Sequence, residues 1–303
     1  NTKTALQSVC GISTGGSHLL FASTTDVEKC IEFSERERVV NPCKVDLIPL
    51  SDENDQEIWH FLDHPKFLTR RQSQVIPIHN PHAVRFAHID LATTSMAGVS
   101  ICHLVGAQKV EGLIKDGKVY SEYRLIAQYD MILTIIAGRT KPISIEKIQR
   151  LFFWLRKECG YKFGKVTADS WQSASILQMM EARGFDTGVL SLDRKKGPYY
   201  AWRTGFEELR IRMYRQRQLM AELETLNDGP DKIDHPPDGS KDTTDSAAGA
   251  YWNAISSQTE NISEYGDEPG IYQGQNEVEP SANIASVVIP AEIEPIRRQV
   301  FSA

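Results

Sequence analysis

Cysteine is scarce in this chain. Five residues (Cys10, Cys30, Cys43, Cys102 and Cys159) in 303 form an odd set with no CxxC pair, which excludes a disulfide framework and a thiolate zinc knuckle. They read as reduced, mostly buried thiols. Long apolar runs are lacking as well. Each is broken by charge or glycine well short of the about 18 residues that cross a bilayer, so no membrane partner is expected. No charged-then-apolar signal segment is present, and the chain opens on Asn1; it reads as an unsecreted piece of something longer. A phosphate loop is missing too: "STGGSH" has no lysine, so the chain is not expected to carry an ATPase of its own.

The net charge of −6 is confined to one end. From Gln258 to Ala303 there are eight acidic and two basic residues, leaving 32 of each sign in the rest. That tail is rich in Glu, Ser, Asn, Gln and Pro and poor in large apolar clusters, so residues 258–303 are expected to be a disordered acidic tail. Residues 1–80 are less regular and read as an N-terminal linker or subdomain in which "DQEIWHFLDHPKFL" looks helical. Residues 81–257 carry the clearest order.

In that middle region "VRFAHIDLA", "GVSICHLVGAQKV" and "YRLIAQYDMILTIIAG" read as three antiparallel strands. "SIEKIQRLFFWLRKEC" switches to helical period, with Ile145, Ile148, Leu151, Phe152 and Leu155 on one face behind Ser144 as N-cap. "FGKVTADS" is a strand, "WQSASILQMMEARG" a helix closed by Gly184, and "FDTGVLSLD" a strand. Helices follow around Pro198–Leu209 and Gln218–Leu226, and a last one begins at Asp242. This order is that of an α/β, RNase H-like mixed central sheet flanked by helices. Such a sheet brings together a carboxylate on the first strand, one after the fourth and one on the closing helix. Asp90, Asp169 and Asp245 stand in those places, with Asp242 beside Asp245. Carboxylates of this kind suit hard divalent cations, Mg²⁺ or Mn²⁺, and two such ions can drive phosphodiester hydrolysis. Each acid also has a plainer use. Asp169 with Gln172 resembles a capping box, and Asp242 or Asp245 would favour a helix N-terminus.

The segments "RFAHIDLATTSMAGVSICHLVG", "VTADSWQSASILQMMEARGF" and "DHPPDGSKDTTDSAAGAYWNAI" resemble, in order and spacing, the C-terminal nuclease domain of the large terminase subunit of tailed bacteriophages. "ALQSVCGIST" resembles the exit from the terminase ATPase domain. The resemblance implies a two-metal endonuclease that cuts concatemeric double-stranded viral DNA in the host cytoplasm. It also implies the terminase ATPase domain, the portal protein and the small terminase subunit as partners. Asp90, Asp169 and Asp245 would be the catalytic acids and metal ligands, Asp242 an auxiliary ligand, and Asp234 and His235 near-site residues. The family's further aspartate after the first-strand motif is missing from "TTSMAG", where Ser95 and Met96 stand; this implies a weaker or more mobile second metal.

Positive charge gathers in "RKKGPYYAWRTGFEELRIRMYRQR". Arg194, Lys195, Lys196, Arg203, Arg210 and Arg212 are expected to bind DNA phosphates, with Arg139 and Lys141 in a second loop on weaker grounds. No side chain announces base readout, so little sequence preference is expected. Two other readings use the same residues. One is another RNase H-like nuclease of the resolvase or transposase type. The other is a catalytically weak DNA- or portal-docking module whose acids only hold helices.

Overall fold

A computed structural model describes residues 18–39, 47–50, 55–115, 118–169 and 174–257. Cys10, Cys43, Gln172 and the acidic tail lie outside these residues. The central sheet has seven strands. Three run antiparallel as a meander: β5 (Val84–Leu91), β6 (Met96–Lys115) and β7 (Lys118–Ile136). Beyond β5 come β8 (Lys162–Ala168) and β9 (Thr187–Val189), both parallel to their neighbours. The resulting order β7-β6-β5-β8-β9 is the mixed sheet expected from the sequence. Two short strands, β2 (Ile48–Pro49) and β10 (Ile211–Arg212), pair in parallel with successive parts of the outer edge of β7. A small sheet joins β1 (His18–Leu19), β11 (Asn227–Asp228) and β12 (Ile233–Asp234), and β3 (Leu68–Arg71) forms a hairpin with β4 (Gln74–Pro77).

The central strand β5 is buried on both faces, as a strand flanked by neighbours and covered by helices must be. Even its arginine is inside. Arg85 is fully buried, 3.2 Å from Asp130, and Asp130 also meets His103 Nδ1 at 2.8 Å. Burial alone would raise the Asp130 carboxyl, but Arg85 and His103 hold it below the usual range.

Among the described residues, seven α-helices flank the sheet. The described part of the first 80 residues contributes α1 (Thr25–Arg36), whose Val27, Cys30 and Ile31 are buried in the common core. The helix expected across "DQEIWHFLDHPKFL" is broken: a 3₁₀ turn over Ile58–Phe61 gives way to extended backbone at Leu62, and α2 (His64–Phe67) starts afresh. The cause is Pro65, which has no N–H to bond backwards and so opens a helical turn but cannot sit inside one. In α3 (Ile145–Lys157) the cap is as expected, Ser144 accepting from Lys147 N at 3.4 Å. The helix α4 (Ala174–Glu181) ends before Gly184, whose φ of +79° is the left-handed stop that glycine tolerates. Helices α5 (Gly197–Glu207) and α6 (Arg217–Leu223) precede α7 (Asp242–Ser256), which starts at the expected residue.

Helix α7 lies across β5, β6 and β7, and its sequence explains how closely. Ala247, Ala248, Gly249, Ala250 and Ala254 are all buried. A Cβ at Gly249 would fall 2.3 Å from the His88 ring, and one at Gly98 on β6 would fall 1.9 Å from the Asp242 carbonyl oxygen. Small residues on both sides let helix and sheet touch backbone to side chain. Polar pins add to this contact: Ser100 with Ser246 at 2.8 Å, Thr134 with Thr243 at 2.7 Å, and Tyr129 donating to Ala247 O at 2.8 Å.

Candidate active site

The acids named from sequence are carried by three elements that meet at one end of the sheet. Asp90 is the penultimate residue of β5, in register with Gly98 of β6. The β5–β8 pairing matches Ile89 to Ala168, so Asp169 follows directly beside it, its amide donating to Ile89 O at 3.3 Å. Asp242 and Asp245 open α7, and the Gly98 contact presses that first turn onto the strand pair holding Asp90. Burial, then the charges of Asp245, Asp242 and Asp169, hold the Asp90 carboxyl well above the usual range. Burial raises Asp242, against its bond from Ser240 Oγ at 2.8 Å. Asp245 is pushed up to about 6 by burial, partly offset by Lys241 and Tyr199.

Asp245 is firmly engaged. The hydroxyl of buried Tyr199 on α5 donates to Oδ1, and Lys241 Nζ stands 3.0 Å from Oδ2. Lys241 also reaches Asp193 Oδ1 at 2.6 Å, in the loop after β9. Burial would lower the lysine, but Asp245 and Asp193 hold it above its ordinary value, so it is an ammonium ion. Among the described residues, no three His, Cys, Asp or Glu side chains are gathered into a ready metal-holding group. The donor set nonetheless suits a hard divalent cation. It is all carboxylate oxygen, and burial together with the charges of Asp245, Asp242 and Asp169 raises Asp90.

Neither α7 acid caps the helix, though both stand in its first turn, at the positive end of its dipole. The N-cap position is Lys241, which makes no side-chain cap bond. One first-turn donor is met from α6, where Glu222 Oε2 accepts from Thr244 N and also from Thr244 Oγ1, both at 2.7 Å, and Asp242 N donates to Ser240 Oγ at 3.3 Å. Asp234 is paired with Lys232 at 2.7 Å, while His235, whose Nδ1 donates to Pro236 O at 2.7 Å, lies near enough to Asp242 to act on its charge.

The basic stretch divides in two. Arg194 and Lys195 are exposed and directly follow Asp193, which Lys241 links to Asp245. The others are engaged within the fold. Lys196 bonds Asp228 at 3.0 Å and the carbonyls of Gly229 and Pro230. Arg203 is 3.5 Å from Glu207, and Arg212 lies over the Phe33 ring, donating to Leu209 O at 2.7 Å. Arg210 is 4% exposed, 2.6 Å from Glu208 and 2.8 Å from Tyr251 Oη. Burial, the dominant influence, lowers Arg212.

Four residues of the site were not singled out for it from sequence: Lys241, Asp193, Tyr199 and Glu222. Lys241 alone left a signal, being four residues before Asp245 and therefore on its helical face.

No protein-family profile matches the chain, and no curated protein matches it. Solved structures do. The chain is similar in structure to large terminase nucleases. One is that of the thermophilic phage G20c, at 15% identity over 68% of this chain and 94% of that one, with a TM-score of 0.42. The same phage's nuclease with bound magnesium matches at 13% identity over 68% and 93%, TM-score 0.42. The Thermus phage P74-26 large terminase nuclease domain matches at 14% over 68% and 90%, TM-score 0.41. The likeness is one of partial shape, and the chemistry of the acidic cleft rests on its own residues.

Proposed function

We propose that this chain is a metal-dependent endonuclease that cuts double-stranded DNA with little sequence preference during the packaging of a viral genome. The observation that carries the reading is the convergence of Asp90, Asp169, Asp242 and Asp245, from three separate elements, at one end of the sheet, where burial and the charges of the other three raise Asp90. The packaging context comes from the resemblance of the three long sequence blocks. Asp90, Asp169 and Asp245 would hold a pair of divalent ions, with Asp242 assisting. Such ions supply a water of lowered pKa and neutralise the charge that builds on a phosphate. Tyr199 fixes the plane of the Asp245 carboxylate, and Glu222 fixes the helix turn that bears it. Arg194 and Lys195 would bind backbone phosphates of the duplex. Attack of water on the phosphorus breaks one P–O bond, the departing oxygen takes up a proton, and the strand is left with a 5′-phosphate and a 3′-hydroxyl.

A DNA- or portal-docking module that does not cut is the second reading. It is favoured by the engagement of Asp245 with Lys241 and Tyr199, which a purely structural carboxylate would also show. Cleavage of supercoiled plasmid at low salt with Mg²⁺, Mn²⁺ or EDTA separates the two. The nuclease reading expects nicking and linearisation only with metal, lost in Asp90→Ala and Asp245→Ala. Intact plasmid under every metal, with DNA binding retained and the variants folded, would favour docking.

A further inference from the structure

A lysine is the wrong residue for the place Lys241 occupies, if helix stability alone is considered. It precedes the first turn of α7 at the N-cap, where an oxygen acceptor is preferred and where a positive charge meets the positive end of the helix dipole. It makes no cap bond, and the first-turn donors Asp242 N and Thr244 N are met by Ser240 and Glu222 instead. The side chain is also 8% exposed, so it is not placed for solubility. Its charge is directed towards the acids: Nζ lies 2.6 Å from Asp193 and 3.0 Å from Asp245, and it acts on Asp90 against the charges of Asp245, Asp242 and Asp169.

We propose that Lys241 is a built-in cation that occupies Asp245 and competes with a divalent ion for it, and that Asp193 is the carboxylate that draws the lysine aside. The proposal rests on the reading of the acidic cleft as a metal site. With Tyr199 on Oδ1 and Lys241 on Oδ2, an ion approaching Asp245 meets an ammonium at contact distance. Repulsion between like charges so close, away from bulk water, is large. The lysine stem has four rotatable carbons, and Asp193, half-exposed, offers a second partner without loss of the ion pair. The cleft is thereby kept electrostatically quiet without metal, and loading requires the lysine to lean towards Asp193.

This role and a merely structural one predict opposite signs. If Lys241 only orients Asp245, removing its charge weakens metal binding. If it competes, removal strengthens binding. The test is calorimetric titration of the 303-residue chain with Mn²⁺, together with the Mn²⁺-induced rise in melting temperature, neither of which needs cleavage. Lys241→Met is expected to bind Mn²⁺ about tenfold more tightly, the order expected when one adjacent like charge is removed. Asp193→Asn, on an exposed loop that tolerates the change, is expected to bind more weakly, because the lysine then has Asp245 alone. Unchanged or weaker binding in Lys241→Met, or unchanged or tighter binding in Asp193→Asn, overturns the proposal. Should Lys241→Met fail to fold, Asp193→Asn still decides it. Asp90→Asn separates the two levels. If Mn²⁺ binding is lost in Asp90→Asn but unaltered in Lys241→Met, only the lysine's role falls. If wild type, Asp90→Asn and Lys241→Met all fail to bind Mn²⁺, the metal site falls with it.

Discussion

Gly98→Ala tests the link between packing and the acidic cleft. The added Cβ would lie 1.9 Å from the Asp242 carbonyl oxygen, 2.6 Å from its carbon and 2.8 Å from Ser246 Oγ. Two of these atoms are backbone, so no rotamer change relieves the clash. Contacts under 3.0 Å are essentially never made by real Cβ atoms, so the first turn of α7 must retreat by at least about 1.1 Å. Because Gly98 is the register partner of Asp90, that retreat widens the gap between Asp90 and the pair Asp242 and Asp245. Overpacking of this kind costs about 1–3 kcal/mol of stability, and a misplacement near 1 Å at a reacting centre costs on the order of 100-fold in rate. The measurements are the initial nicking rate at saturating Mn²⁺ and the urea midpoint. Gly249→Ala, whose Cβ meets the His88 ring rather than backbone, is expected to lose similar stability with a smaller loss of rate. Wild-type rate and midpoint in Gly98→Ala would refute the reasoning.

Other consequences are as specific. Glu222→Ala removes the acceptor shared by Thr244 N and Thr244 Oγ1 and should cost about 1–3 kcal/mol in chemical denaturation, with an unchanged midpoint counting against the cap. His88, pushed down to about 3 by complete burial from 6.5, stays neutral in the fold while the unfolded chain takes up a proton. Its contribution is therefore whole above pH 6.5 and is lost as pH falls towards 3, by roughly 1.4 kcal/mol per pH unit. Wild type minus His88→Asn, followed by denaturation across that range, should show this slope and would contradict it by running parallel. The double variant Arg194→Ala with Lys195→Ala should lower the slope of log affinity against log salt by about 1 for each phosphate that is no longer neutralised. Lys196→Ala, whose ammonium is bonded to Asp228, should instead lower the melting temperature and leave that slope alone.

Much of the fold could be read because its signals are local. β-rich runs, partly alternating in β6 and β7, set the three strands, the change to helical period after Ser144 set α3, and Gly184 set the stop behind α4. Where the sequence misled, in "DQEIWHFLDHPKFL", the apolar spacing suggested a helix that one proline breaks. The acids were legible because topology decides where strand ends and the closing helix meet. What surrounds them was not. Tyr199 and Asp193 reach Asp245 and Lys241 from 46 and 48 residues away, and no spacing rule connects such positions. The basic stretch shows the converse. Arg210 and Arg194 look alike in sequence, yet one is held by Glu208 inside the fold and the other faces solvent.

The placement of α7 also orders events in time. Asp90 and Asp169 belong to the sheet, whereas Asp242 and Asp245 arrive on a helix made last among the described elements. A ribosome adds about 5–20 residues each second, so Asp245, 155 residues after Asp90, follows it by roughly 8 to 30 seconds. Through that interval the nascent chain can pair β5 with β6 and β7, but its cleft is half built. Whatever the four carboxylates do together, a chain that stops short of Asp245 cannot do it.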